Sequence, residues 1–219
     1  MLLAGCRKND PFSPAGGGVD TTPEVWVSMG QSQMSGEGAG PFPPHPSIVM
    51  YQNAPPMGMG YAFAIERAKL GHPVTLIQCA VGGTPMSVWT SGGYLYEACI
   101  DKIIASELIV TGFVFDQGAQ DANYAVPTPW AELFVRMVIN ARSRLSNTNL
   151  IVVYGETGQW GDNPYPVNID HIRQEQKSVS LPKTFMAASA DVIPLCGGWH
   201  FCQEEMTIVA KRMNANLMQ

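Results

Sequence analysis

The sequence predicts a single α/β domain, a three-layer α/β/α sandwich built around a five-stranded parallel sheet. Short apolar runs of about five residues alternate with longer segments of helical periodicity, a pattern typical of a parallel sheet with helices on both faces. The chain of 219 residues is long enough for one domain with a substantial core and short for two.

The individual elements follow from the same alternation. The predicted strands are residues 25–29, 73–79, 109–115, 150–154 and 184–188. The predicted helices are residues 59–70, 94–106, 130–145, 171–179 and 203–217. Gly71 follows the first helix, which is where a C-cap glycine commonly stands. Parallel sheets bind ligands where loops leave the carboxyl ends of their strands, so we expect the functional residues in those loops.

Composition limits the partners of this domain. Charged residues make up 14% of the chain, and the net charge is −5. The sequence therefore offers no basic patch for nucleic acid and no electrostatic attraction to an anionic membrane. No stretch approaches the roughly 20 apolar residues that a transmembrane span needs. The oligomeric state is not indicated.

The N-terminal segment is interpreted separately from the domain. Residues 1–22 are expected to be a leader or flexible tether, being polar and unpatterned from residue 7 onward, and the domain is expected to span 23–219. The opening MLLAGC resembles the end of a bacterial lipoprotein signal, in which Cys6 carries the lipid. A chance match is the alternative, because the basic region and longer apolar run of such a signal are missing. We expect an exported or cell-envelope protein, with Cys6 as a candidate lipid anchor.

The four other cysteines match no zinc-binding pattern. They are Cys79, Cys99, Cys196 and Cys202. In an exported protein Cys196 and Cys202 could form a disulfide that restrains the loop between them. For Cys79, which ends an apolar run, a small buried thiol is at least as good an interpretation.

Two glycine-containing motifs follow the first two strands. GQSQMSG at residues 30–36 places Ser32 at a strand end, where its hydroxyl could project into a cleft beside free backbone N–H groups; a tight turn would give the same pattern. GGT at residues 82–84 contains paired glycines, which let the backbone approach a ligand and would allow Gly83 to donate its N–H. A flexible turn is the alternative there.

Two further motifs follow later in the chain. DQGAQD at residues 116–121 comes after the third strand, and the amide of Gln117 could donate to an oxyanion, although a polar turn explains the segment equally well. WHF at residues 199–201 precedes the last helix. A lone histidine is usually structural, but His200 lies in another loop at the edge of the sheet. The conjunction of the four motifs carries more information than any one of them.

In this order the motifs resemble those of the SGNH hydrolases. These have a serine after strand one, a glycine after strand two, an amide after strand three and a histidine before the final helix. The motif sequences closely resemble those of one branch, the sialate O-acetylesterase-like group or carbohydrate esterase family six. That branch typically shows GQSNM-x-G, GGT with a downstream Trp, WYQGESD and D-x-x-H-F. This chain reads GQSQMSG, GGTPMSVW, FDQGAQD and GGWHF, and the resemblance covers about residues 24–215.

The resemblance implies a serine esterase acting on acetylated carbohydrate. Ser32 would attack the ester carbonyl, and His200 would take its proton and return it to the leaving alcohol. The backbone N–H groups of Ser32 and Gly83 and the amide of Gln117 would hold the oxyanion, with Gln31 beside them as a substrate-binding residue. No metal or organic cofactor is implied.

Three positions depart from the family pattern. Gln33 replaces an Asn, Gly197 replaces the acid three residues before the histidine, and Ala119 replaces the Glu of the third motif. Losing the carboxylate that orients the histidine can lower turnover by about four orders of magnitude. The remaining acceptors, in order of expectation, are a main-chain carbonyl, Asp191, and then Asp121 or Glu156.

Several functions are compatible with these motifs. The leading hypothesis is an exported O-acetylesterase that acts on a polysaccharide or a sialylated glycan. A catalytically weakened member that binds acylated glycans without efficient hydrolysis is the main alternative, because the family carboxylates are missing. An esterase of small lipidic esters would share the fold, but no long apolar lid segment is present. A dinucleotide-binding domain is disfavoured, because no G-x-G-x-x-G follows the first strand.

Overall fold

A parallel β-sheet of six strands forms the centre of the protein. The computed structural model describes residues 22–158, 168–195 and 198–218. The strands are β1 (Glu24–Gly30), β2 (Ile48–Met50), β3 (Val74–Gln78), β4 (Gly112–Asp116), β5 (Ile151–Gly155) and β6 (Thr184–Ala187). Their order across the sheet is β2-β3-β1-β4-β5-β6, and every pairing is parallel. The predicted fold class is confirmed.

Helices connect the strands. They are α1 (Ser32–Ser35), α2 (Gly58–Lys69), α3 (Tyr94–Ser106), α4 (Ala119–Ala122), α5 (Trp130–Arg144), α6 (Ile169–Ser178) and α7 (Gln203–Ala215). Short 3₁₀ turns lie at Tyr51–Asn53, Met86–Val88 and Asn216–Met218. All five predicted helices are present within a few residues of their expected ends. None of the helices in the described part of the chain is both long enough and apolar enough to cross a membrane.

The prediction of five strands was wrong by one, because it missed β2. This strand has three residues, pairs only with β3 and lies at the edge of the sheet. It follows the proline-rich segment at residues 41–46, and none of its three residues is buried. A run so short and partly exposed carries neither the length nor the periodicity by which a strand is recognised in a sequence.

Side-chain alternation along the strands builds a core on each face of the sheet. Val27 and Met29 of β1 point to one face, and Trp26 points to the other. Phe115 of β4 joins the first of these cores, whose aromatic rings include those of Trp89, Trp130 and Phe134. Helices α3, α5 and α6 cover this face, and helices α2 and α7 cover the other. The result is the three-layer arrangement that the period-2 and period-3.6 patterns predict.

The strand order creates a crevice at the carboxyl end of β1. The chain passes from β1 to the edge strand β2, returns through β3, and then crosses to β4 on the other side of β1. The loops that follow β1, β3 and β4 therefore diverge around one point, which is where open α/β sheets bind ligands. Gly30 ends β1 there with a φ of 115°, and a Cβ on it would lie 2.1 Å from the carbonyl oxygen of Asp116. Only glycine fits this position.

A disulfide joins Cys79 to Cys99. The interpretation of Cys79 as a free buried thiol was therefore wrong, because the residue after β3 and a residue of α3 meet in the fold although 20 positions separate them in sequence. The bond attaches the beginning of the loop that carries Gly83 to the helix beneath it. Cys6 and Cys196 lie outside the described residues, so the lipid anchor and the pairing of Cys196 with Cys202 stay predictions.

Replacing both Cys79 and Cys99 with alanine is expected to lower the free energy of unfolding by about 3 kcal/mol, because a crosslink over a loop of this length restricts the unfolded chain. Guanidinium unfolding of the double variant beside the wild type measures the difference. An unchanged unfolding midpoint would contradict the expectation.

Candidate active site

An open pocket of about 220 Å³ lies at the carboxyl edge of the sheet, in the crevice around β1. Its lining residues come from the loops after β1, β3 and β4 and from the loop before α7. They are Gln31, Ser32, Gln33, Glu37, Gly83, Ala119, Gln120, Asn123, Trp199 and His200. Three of the four motifs found in the sequence thus contribute their central residue, Ser32, Gly83 or His200, to one wall. The fourth motif contributes neighbours of Gln117 and not Gln117 itself.

Ser32 lies directly after β1, at the first position of α1. It is 8% exposed, so its side chain reaches the pocket from an otherwise buried backbone. The turn is anchored by the Gln31 N–H, which donates to the carbonyl of Asp116 over 2.9 Å. Gln31 also lines the pocket, and its Oε1 accepts a hydrogen bond from the Gln120 N–H over 3.3 Å.

Two residues of the pocket lining, Ser32 and Gly83, have backbone N–H groups with no acceptor among the described residues. Within the described ranges, neither the Ser32 N–H nor the Gly83 N–H donates a hydrogen bond. Gly83 has a φ of 67°, in the left-handed region that favours glycine. Its loop is secured by Thr84, whose hydroxyl donates to the Val81 carbonyl over 2.7 Å and accepts from the Trp89 indole over 2.9 Å. The two N–H groups predicted as oxyanion donors are therefore not used by other described residues, and their role stays a prediction.

The loop of His200 is held by the side chain of Gln33. Its Nε2 donates to the carbonyl of Trp199 over 3.3 Å, and its Oε1 accepts from the N–H of Phe201 over 3.1 Å. Gln33, which follows the predicted nucleophile, is thus hydrogen-bonded to the residues on both sides of His200. The sequence showed this position only as a mild departure from the family, and it did not reveal the positioning role.

Ser32 and His200 share the pocket wall without a direct hydrogen bond between them. In proteins without bound substrate, catalytic hydrogen bonds are often long and tighten only in the complex. The shared pocket brings the two side chains to one place, and the hydrogen bond predicted between them stays a prediction.

Gln117 does not take the place that the sequence predicts for it. Its Nε2 donates to the carbonyl of Thr84 over 3.1 Å and to the carboxyl group of Asp121, and its Oε1 accepts from the Trp130 indole over 2.7 Å. The side chain is buried and is not part of the pocket wall. Both amide hydrogens are in use, so Gln117 fixes the Gly83 loop to the core and is not free to donate to an oxyanion.

The carboxylates considered as partners for His200 are also engaged elsewhere. Asp191 forms a two-point ion pair with Arg212, at 2.6 and 2.8 Å, and its carboxylate is exposed. Asp121 accepts from the Met86 N–H over 2.9 Å, and Glu156 contacts Lys177 at 2.8 Å. None of the three lines the pocket.

The preferred acceptor, a main-chain carbonyl, is also not found. No carbonyl in the described part of the chain accepts a hydrogen bond from the His200 ring.

Glu37 is the carboxylate that the structure places beside His200. The distance from its Oε2 to His200 Nε2 is 3.9 Å. Its backbone N–H donates to the Ser32 carbonyl over 3.1 Å, which ties it to the turn of the predicted nucleophile. The sequence analysis missed this residue. The available signal was its position, because it is the only acidic residue between Glu24 and Glu66 and it follows the serine motif directly.

Asp116 is a buried acid beneath the pocket floor. It ends β4 next to the turn at Gly30, and burial raises the pKa of its carboxyl group to about 8. It also lines a cavity of about 20 Å³ together with Gln31, Gln33 and Trp199. At neutral pH the Asp116 carboxyl group is therefore mostly protonated. No cluster of three or more potential metal ligands occurs in the described ranges.

Comparison with known proteins supports the class of the enzyme. The carbohydrate esterase family described as sialic acid-specific acetylesterases matches residues 41–219. A comparison with curated protein sequences finds no match.

Solved structures share the fold at low sequence identity. A protein of Arabidopsis thaliana is 19% identical, with 90% of this chain and 98% of that one covered and a TM-score of 0.73. A carbohydrate acetylesterase from Xanthomonas citri is also 19% identical, over 88% of this chain and 55% of that one, with a TM-score of 0.66. A carbohydrate acetylesterase from Sinorhizobium meliloti is 16% identical, over 90% and 99%, with a TM-score of 0.57.

The parallel sheet has its pocket at the carboxyl end of β1, and the family match makes the chain a carbohydrate esterase, which is a class of carboxylic ester hydrolase. More particularly, the chain belongs to the carbohydrate esterase family of sialic acid-specific acetylesterases, whose match spans most of its length. The family predicted from the motifs is confirmed. The Ser32 motif precedes the matched residues, so the assignment of a nucleophile depends on the geometry of the pocket.

Asp116→Asn is expected to stabilise the protein, and the gain should grow with pH. The unfolded carboxyl group loses its proton near pH 4, whereas the folded one keeps it to about pH 8. Between these values the folded state binds more protons, so Asp116 makes the protein less stable as the pH rises. We expect a gain near zero at pH 4 and on the order of a few kcal/mol at pH 8.

Urea unfolding at several pH values measures this effect. Asp170→Asn is the matched control, because the carboxylate of Asp170 is largely exposed. A gain for Asp116→Asn that does not change with pH would contradict the account.

Proposed function

We propose that this protein hydrolyses O-acetyl esters of carbohydrate with Ser32 as nucleophile and His200 as general base. The observation that carries the proposal is the meeting of Ser32, Gly83 and His200 on one pocket wall, although they come from three separate loops. Such a convergence of a hydroxyl, an imidazole and unpaired backbone donors is what acyl transfer requires.

The proposed reaction begins when His200 takes the proton of the Ser32 hydroxyl as its oxygen attacks the acetyl carbonyl. The N–H groups of Ser32 and Gly83 would bind the oxyanion of the tetrahedral intermediate, and Gln31 would contribute from the same wall in place of the enclosed Gln117. His200 then returns the proton to the sugar oxygen, which leaves as a hydroxyl group. In the second half of the reaction His200 takes a proton from water as the water attacks the acetyl-serine, and it returns that proton to the Ser32 oxygen as acetate leaves.

Glu37 is the proposed counter-charge for His200. When the imidazole takes up the serine proton it becomes positive, and a carboxylate 3.9 Å away stabilises that charge. The side chain of Glu37 is about half exposed, at 52%, so water weakens this interaction compared with a buried triad acid. Gln33 holds the ring's loop from behind. Glu37 and Gln33 together would stabilise and position the imidazole, which is the function of the family's acid at the position that Gly197 occupies here.

Binding of acylated glycans without efficient hydrolysis is the second candidate function. It is favoured by one observation, that no carboxylate in the described ranges is hydrogen-bonded to the His200 ring. Trp199, which is half exposed at the rim, would serve either function by stacking on a sugar ring.

Ser32→Ala and His200→Ala are each expected to lower the hydrolysis of a chromogenic acetyl ester by at least about three orders of magnitude, because each removes a group that takes part in every step. Release of the chromophore by purified protein measures the rate. Ser178→Ala and His72→Ala are the matched controls, since they remove the same residue types away from the pocket. A wild type that binds acetylated xylan and releases no acetate would establish the second candidate and reject the first.

We also propose an exported or cell-envelope location. The disulfide between Cys79 and Cys99 supports it, because disulfides persist mainly in oxidising compartments. In fractionated cells that express the full chain, the protein is expected with the envelope, and Cys6→Ser should release it if Cys6 is the anchor. Recovery of both proteins from the cytoplasm would overturn the proposal.

A further inference from the structure

Among the described residues, the lining of the pocket contains a carboxylate and no permanently positive side chain. Of its ten residues, the one with a carboxylate is Glu37, and neither Lys nor Arg is among them. The charge of Glu37 is held in place. Its Oε1 packs so closely on Gly82 that a Cβ there would lie 1.6 Å from it, and the Ser35 hydroxyl lies 3.3 Å from the same oxygen.

Almost all cationic side chains in the described part of the chain contact partners outside the lining of this pocket. Each Lys and Arg in the described ranges except Lys211 contacts an oxygen atom away from the pocket. Examples are Arg67 with Glu24, Arg144 with Glu97 and Arg212 with Asp191. Lys211 is exposed on α7, well past the beginning of that helix. Outside the described ranges, residues 159–167, 196–197 and 219 contain no Lys or Arg, and residues 1–21 contain Arg7 and Lys8.

An acidic sugar would therefore bind this pocket poorly. A sugar carboxylate loses hydration as it enters, and proteins usually compensate with a bidentate Arg or with a Lys. Here it would meet the Glu37 carboxylate instead, within a protein whose net charge is −5. A hydroxyl-bearing neutral sugar has no such cost, because its hydroxyl groups can donate to the carboxylate oxygens.

We propose that Glu37 makes this pocket selective for acetyl esters of uncharged sugars and against those of acidic sugars such as sialic acids. The inference rests on the proposed function and narrows its substrate class. The proposed preference for uncharged sugars differs from the substrate after which the family is named, sialic acid.

The test compares an O-acetylated sialic acid with the carboxamide of the same compound, which has the same shape and no charge. Acetate release gives kcat/KM for each. For the wild type we expect the carboxamide to be favoured by about tenfold, the size of a like-charge contact near a protein surface. Glu37→Gln should bring the ratio of the two values close to one, whatever it does to the absolute rates.

Glu132→Gln is the matched control. It changes the net charge of the protein by the same amount at an exposed position on α5, so it should leave the ratio of the wild type unchanged. Salt gives a second measurement that needs no variant. Rising ionic strength screens the repulsion between the sugar carboxylate and Glu37, so the ratio of the two kcat/KM values should approach one in the wild type.

The outcomes are distinguishable. If the wild type releases acetate from neither compound nor from a neutral acetylated sugar, the proposed hydrolysis itself fails. If it hydrolyses both sialic acid compounds equally well, the hydrolysis stands and the charge selectivity is overturned. If Glu37→Gln lowers both rates without changing their ratio, Glu37 serves His200 alone, and the proposal that Glu37 makes the pocket selective is overturned.

Discussion

The contact between the end of β1 and the end of β4 is the constraint on which the site depends. At Gly30 the backbone of β1 lies so close to the Asp116 carbonyl that no side chain fits, and the next N–H, from Gln31, donates to that carbonyl. The chain must therefore turn at this point, with Ser32 at the head of the turn. Because β1 lies between β3 and β4, the turn faces the loops that follow both neighbours. Asp116, whose backbone forms this contact, is also the acid that burial keeps mostly protonated at neutral pH, because burial raises the pKa of its carboxyl group to about 8.

Several polar side chains near the pocket form hydrogen bonds that hold its loops in place. Gln117 and Asp121 form a buried network that joins the Gly83 loop to the core through Thr84 and Met86. The side chain of Gln33 likewise holds the loop of His200 by hydrogen bonds to its backbone. A pocket made of flexible loops becomes a defined site because each loop is tied at a buried polar anchor, and such anchors are stable only when all their donors are satisfied.

The replacement of the family's acid changes the electrostatic character of the site. A triad acid behind the histidine would be buried and out of contact with the ligand. The Glu37 carboxylate instead lines the pocket, and its side chain is about half exposed. The same group can then act on the imidazolium and on the incoming sugar. In the proposed reaction, a carboxylate on the ligand's side of the histidine would couple catalysis to the charge of the substrate, which a carboxylate buried behind the ring would not do.

The sequence by itself determined the fold class, five of the six strands, all the longer helices and four of the residues that line the pocket. These follow from local patterns, since periodicity reports which face of an element is buried and a glycine or serine after a strand marks a turn. The tertiary structure decided the rest. Gln117 and Glu37 are both polar residues in strand-end loops, and no local pattern distinguishes the one that turns into the core from the one that faces the pocket. That choice depends on partners distant in sequence, Trp130 and Thr84 for Gln117 and Gly82 and His200 for Glu37, which only the folded chain brings within reach.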